Sequence, residues 1–285
     1  MMKELLFQQI DVFTKKSFKG NPVAVILEGD NLSTKEMQTI ANWMNLSETT
    51  FICRSSDPMA DYKLRIFSTQ SELPFAGHPT IGSAFAFYNQ NKENLKKDYI
   101  IQECGQGLIK IYIESDKIFL TLPEYKIKEI QRNQIEQFSE ALGIPVESIK
   151  EHAIIDVGAV WITLQITNGQ EVISLRPDFK KISALTKEVT GLTIFGLNDL
   201  NDESDMEVRS FAPNEGANED PVCGSGNGCV AILVKNKKLI SNKNYVASQG
   251  ICMGRDGKVE IKYQDDGEIL LGGDAVTCIQ GFLKL

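Results

Sequence analysis

Two short segments gather the groups that can do chemistry. The first runs from Ser71 to Thr80 and carries Glu72, Gly77 and His78. The second runs from Glu219 to Gly228 and carries Glu219, Asp220, Cys223, Gly224, Ser225 and Gly226. Each opens onto a helix with almost no polar face, whose apolar run begins at Ile81 or at Cys229, and Pro79 fits the first turn of the first helix. The first N–H groups of a helix lack intrahelical partners, and that end carries partial positive charge. Glycines there let an anion approach the backbone, and Ser225 adds a hydroxyl donor. Two such turns facing each other across a cleft would hold a small anionic molecule. A carboxylate in the same dry place has a raised pKa and can pass a proton. Glu48, Glu72, His78, Glu219, Asp220 and Cys223 are the titratable groups in or beside the turns.

Plainer roles compete with these. The glycines permit tight turns in any case. The His78 ring can cap its helix. Cys223 fits as a small filler at a helix start, a place that lowers a thiol pKa. Spacing alone does not single out Glu48, since most such glutamates are simply solvated.

The elements that must position these groups are written twice. A strand ends in Phe (Phe67, Phe211), an acidic turn bearing Gly and Pro follows, and a buried helix begins. Gly77 and Gly224 are 147 residues apart, about half the chain. This predicts an α+β fold of two pseudo-duplicated domains, each a curled mixed sheet around a central buried helix, with the boundary near residues 123–130. Around this frame, Ser33 to Glu36 reads as a capping box before a helix ending near Asn45. Residues 133–142 and 177–189 read as surface helices. Residues 154–156 and 160–166 read as strands.

Several classes are excluded. The formal net charge of −8 disfavours a nucleic-acid partner. Six cysteines and two histidines show no C-x-x-C pair and no zinc spacing. Neither G-x-x-x-x-G-K-[ST] nor an early G-x-G-x-x-G is present, so no NAD, FAD or ATP is expected. Without a signal peptide or a long apolar run, a cytoplasmic chain with reduced thiols and no membrane contact is expected.

The segments FKGNPVAVIL, LSETTFI, LRIFSTQSELPFAGHPTIGSAFAF, VRSFAPNEG, NEDPVCGSGNGC, ASQG, GRDGKVEI and LLGGDAVTCIQGFLKL span nearly the whole chain. They closely resemble the phenazine-biosynthesis PhzF-like family, related in fold to diaminopimelate epimerase. The resemblance implies domains 1–125 plus 275–285 and 126–274, an active site in the cleft between them, and a homodimer. It implies a cofactor-independent, metal-free isomerase acting on a small carboxylated substrate such as dihydro-3-hydroxyanthranilate. Glu48 matches the base that moves the proton, and His78 and Asp220 match its assistants. Ser225, with the backbone of Gly77, Gly224 and Gly226, matches the carboxylate holder. One departure stands out: Cys223 occupies a place that in this family more often holds a threonine or another small residue. It falls where the second catalytic cysteine of diaminopimelate epimerase would lie. Because the first turn has no cysteine, a two-thiol racemase lacks half its machinery. An amino-acid racemase or epimerase, a mixed Glu48/Cys223 pair and a non-catalytic carboxylate-binding relative remain the alternatives.

Overall fold

Strand β1 (Glu4–Val12) buries Leu5, Ile10 and Val12 and pairs antiparallel with β2 (Asn21–Ile26). Helix α1 (Thr34–Met44) starts on the Ser33/Glu36 capping box, and Asn45 closes it in the left-handed region at φ 54°. This returns the chain so that β3 (Thr49–Cys53) lies parallel to β2. Then β4 (Tyr62–Phe67) runs antiparallel to β3, and the short β5 (Glu72–Leu73) folds back on β4. Helix α2 (Gly77–Asn91) carries the chain to β6 (Tyr99–Cys104), parallel to β4. An antiparallel meander through β7 (Gly107–Glu114) and β8 (Lys117–Thr121) follows.

The same sequence of pairings then recurs. Strand β9 (Lys126–Lys128) and helix α3 (Arg132–Leu142) lead into β10 (Ile149–Asp156), which pairs antiparallel with β11 (Val160–Ile166). Helices α4 (Gly169–Ser174) and α5 (Phe179–Leu185) carry the chain to β12 (Gly191–Leu197), parallel to β11. Next, β13 (Met206–Ala212) is antiparallel to β12, and β14 (Ala217–Asp220) folds back on β13. Helix α6 (Gly224–Lys237) leads to β15 (Asn244–Gln249), parallel to β13, and β16 (Gly257–Tyr263) turns back on it. After β17 (Ile269–Gly273), the long strand β18 (Ala275–Lys284) pairs along β1.

This computed structural model describes residues 4–95, 97–199 and 202–285. The chain divides into two compact units, Met1–Thr121 with Gly272–Leu285, and Leu122–Leu271. The fold is α+β, a mixed sheet with few helices. In the first unit α2 packs on β1, β2 and β8, with His78 through Ala84 buried. A Cβ at Gly82 would stand 2.5 Å from Val23 Cγ1, so glycine sets how closely α2 approaches β2. In the second unit α6 packs on β10, β11 and β12, burying Gly226 through Val234. Among the described residues no helix is long and apolar enough to cross a membrane.

The two buried helices begin at Gly77 and Gly224, with His78 and Ser225 in their first turns, as the turns preceding them implied. Some local expectations need correction. The acidic turns contain short strands, because the chain there hydrogen-bonds back onto β4 and β13. The second surface helix covers only Phe179–Leu185; Asp178 caps it and Thr186 ends it. Strand β10 begins at Ile149, five residues before its apolar run.

Candidate active site

In the first unit, topology brings three chain segments to one end of the sheet. Strands β2 and β3 are parallel, so both begin there, and β4 ends there with Phe67 opposite Thr49. The turn after β4 therefore delivers the start of α2 to the residues that precede β2 and β3. Glu48 stands immediately before β3, and His78 is the second residue of α2. Their side chains meet, with His78 Nε2 3.5 Å from Glu48 Oε2. His78 does not cap its helix; its ring hydrogen-bonds the Pro22 carbonyl instead. Nε2 makes no hydrogen bond, so the proton on the neutral ring resides on Nδ1. Burial pushes the imidazole pKa down to about 4, which keeps the ring uncharged at neutral pH. Nε2 thus presents a lone pair toward Glu48. Helix α2 has no side-chain cap, and the space beyond the Gly77 Cα is open.

The second unit repeats the layout with different side chains. Strand β11 begins where β13 ends, and the start of α6 is delivered to the same end. Ser225, like His78, is the second residue of its helix. Its Oγ accepts from Trp161 Nε1 at 3.0 Å and is hydrogen-bonded to Cys223 Sγ at 3.6 Å. Cys223 is the N-cap, and its Sγ accepts from Gly226 N–H at 3.3 Å. That bond occupies the Gly226 N–H, and a Cβ on Gly226 would lie 2.6 Å from Ser210 Oγ. Gly226 is therefore a packing glycine, and the uncapped donors of this turn are the N–H groups of Gly224 and Ser225. Asp220 Oδ1 accepts from Val222 N–H at 2.9 Å, and its carboxyl is hydrogen-bonded to the Cys223 thiol. Burial raises the Asp220 pKa to about 6.

Burial and the neighbouring Asp220 charge push the Cys223 thiol well above its ordinary value. This corrects the expectation that a helix start lowers it. The helix end is favourable for a thiolate, but desolvation outweighs it in this buried position.

Glu72 and Glu219 also take a different place from a proton shuttle. Each is held in a two-bonded fork by an arginine of the preceding strand. Arg65 donates to both Glu72 oxygens at 2.7 Å, and Arg209 to both Glu219 oxygens at 2.9 Å. Each arginine also lies over the aromatic ring two residues on, Phe67 or Phe211. The forks close β5 onto β4 and β14 onto β13, which fixes the turns leading into α2 and α6. An Arg-x-Phe closing one strand of each repeat is the sequence signal for them. Trp161 was equally legible as an aromatic opening β11, but its partner was not. Asn214 binds Ser183 and Thr186 of the α5 region. Among the described residues no group of three or more His, Cys, Asp or Glu side chains is placed to hold a metal ion.

These features define a class: an α+β protein made of two copies of one motif, with ionisable groups gathered at the starts of its two buried helices. The family described as phenazine biosynthesis-like protein matches residues 10–281. Antisense-enhancing sequence 1 of Schizosaccharomyces pombe is 42% identical, over 98% of this chain and 99% of its own length. An uncharacterized isomerase of Clostridium acetobutylicum is 31% identical, over the whole of both chains. The crystal structure of the Bacillus anthracis phenazine biosynthesis protein of the PhzF family superposes with a TM-score of 0.85 at 22% identity, covering 99% of each chain. The chain belongs to the phenazine biosynthesis-like protein family and is an enzyme of the isomerase class.

Proposed function

We propose that this isomerase works without a cofactor, moving a proton between two carbons of a small carboxylated substrate of the dihydro-3-hydroxyanthranilate type. The observation that carries this is the neutral His78 imidazole with Nε2 3.5 Å from Glu48 Oε2. Glu48 takes a proton from one substrate carbon as the adjacent double bond shifts. The protonated carboxyl then has an acceptor in Nε2, which steadies it until the same proton is returned to a second carbon. No charge is created on the histidine, and no second base is needed. The N–H groups of Gly224 and Ser225, with the Ser225 hydroxyl, hold the substrate carboxylate. Asp220, with a pKa of about 6, is partly protonated near neutrality and assists as a donor.

The raised Cys223 pKa counts against a thiolate base, and so against the two-thiol racemase and the mixed Glu48/Cys223 pair. The test is incubation of dihydro-3-hydroxyanthranilate with the protein in heavy water. A shifted double bond, with the migrating proton retained or only partly exchanged for deuterium at the receiving carbon, supports the proposal. Labelled inversion of an amino-acid α-carbon without a double-bond shift replaces it with a racemase. No conversion and no label in either class of substrate overturns it.

A further inference from the structure

The turn from Asp220 to Cys223 supplies both an assistant carboxyl and the cap of α6, yet its own hydrogen bonds leave it open on one side. The strand beneath closes it. Gln249, the last residue of β15, is almost fully buried, and both ends of its amide are used. Its Oε1 accepts from Cys223 N–H at 3.1 Å and from Asn227 Nδ2 at 2.7 Å. Its Nε2 donates to the Asp220 carbonyl at 3.0 Å. Asn227 in turn donates to the Cys223 carbonyl at 2.9 Å. One side chain thereby spans Pro221 and Val222 and fixes the backbone before and after them. The following residue lets this happen: Gly250 has φ +100°, and a Cβ there would lie 2.5 Å from the Pro221 carbonyl oxygen.

We infer that Gln249 is a positioning residue for the proposed site, setting the Asp220 carboxyl and the uncapped N–H groups of Gly224 and Ser225 in one fixed geometry. The inference rests on the reading of the α6 start as the carboxylate holder. Glutamine suits the task because it accepts at one end and donates at the other. An ionised glutamate keeps the acceptor, loses the bond to the Asp220 carbonyl, and adds a buried negative charge beside Asp220. Methionine keeps the length and loses all three bonds.

The test uses the full chain with Gln249→Met and Gln249→Glu. The first readout is the rate of iodoacetamide alkylation at Cys223 and at Cys229, resolved by peptide mass spectrometry. Cys229 lies further along α6, with its Sγ against the Ile155 carbonyl, and reports the packing of the helix as a whole. With three hydrogen bonds removed, Gln249→Met should speed Cys223 alkylation by roughly tenfold or more, with Cys229 unchanged. Gln249→Glu should speed it less. On dihydro-3-hydroxyanthranilate, Gln249→Glu should move the acid–base profile of kcat/KM upward and raise KM. An unchanged Cys223 rate overturns the inference, as does a parallel rise at both cysteines in both variants. A wild-type chain that turns over nothing overturns the proposed function instead, while the Cys223 rate still decides the role of Gln249.

Discussion

Glu48 and Gly191 occupy the same position in the two copies of the fold. Thr49 lies opposite Phe67, and Leu192 lies opposite Phe211; Glu48 and Gly191 are the residues just before them. In the first copy that position carries the carboxylate that meets His78. In the second, a Cβ would be 2.2 Å from the Phe211 carbonyl oxygen and 2.8 Å from Trp161 Cζ3. The duplicated frame is thus chemically asymmetric. One copy keeps an acid, and the other gives up any side chain there so that Trp161 can reach Ser225.

This separates two substitutions at equivalent places. Glu48→Gln keeps the shape and removes the base, so turnover should fall by about 100- to 10,000-fold with little change in unfolding midpoint. Gly191→Ala should instead destabilise the protein by about 1–3 kcal/mol through overpacking. Steady-state kinetics and urea titrations of both variants check this, and near-full turnover by Glu48→Gln would remove Glu48 from the chemistry.

Ser225→Ala should leave Trp161 Nε1 without its acceptor and remove one donor from the α6 start. The expected loss of stability is about 1–2 kcal/mol. KM should rise more than kcat falls, since the hydroxyl is assigned to binding. Kinetics and tryptophan emission report the two effects separately.

The burial of His78 has a pH signature. Its folded pKa is about 4 against 6.5 for the unstructured side chain, so the unfolded chain binds the proton more readily. Its contribution is complete above pH 6.5 and is lost as pH falls toward 4. Over that window wild type should lose about 3 kcal/mol relative to His78→Asn. Denaturant titrations of both proteins across the window measure the difference, and parallel curves would contradict a buried neutral imidazole.

Glu207 predicts the opposite slope. It is 4% exposed, accepts from the Ser248 hydroxyl, and has a pKa raised to about 7, chiefly by burial. Below pH 4.5 the carboxyl is neutral in both states and costs nothing. Between pH 4.5 and about 7 only the unfolded chain ionises it, so stability falls across that window and levels off above it. Glu207→Gln should therefore be the more stable protein at pH 8, by up to about 3 kcal/mol, with the gain gone in acid. Melting temperatures of the pair at pH 8 and pH 4.5 decide it.

The two arginine forks should differ in worth. Arg209 and Glu219 are 5% and 9% exposed, and Arg209 also donates to the Val172 and Leu175 carbonyls. Arg65 and Glu72 are 22% and 38% exposed. Arg209→Ala strands a buried carboxylate and should cost about 3–5 kcal/mol. Arg65→Ala should cost under about 1 kcal/mol. Equal losses in chemical denaturation would mean that burial does not set the strength of these pairs.

Much of this frame was legible in the residues. The two strand–turn–helix segments, their spacing and the buried character of both helices follow from apolar patterning and glycine placement. Such local signals also mark the capping box at Ser33. What patterning did not show are relationships made by register. Glu48 has no unusual neighbours in sequence; only the parallel pairing of β2 with β3 brings it to His78. The forks were hidden because Glu72 and Glu219 read equally well as free acids. The direction of the Cys223 shift was misread because a helix start is visible in sequence, while the depth of its burial is not.

Strand β1 is paired on one side by β2 and on the other by β18, the two sides being separated by a whole folded unit of the chain. During synthesis the segment Leu122–Leu271 therefore has all of its own strands before the earlier-made one has its full complement. The order of maturation is the reverse of the order of emergence, and β1 waits with one bare edge until the ribosome has released β18.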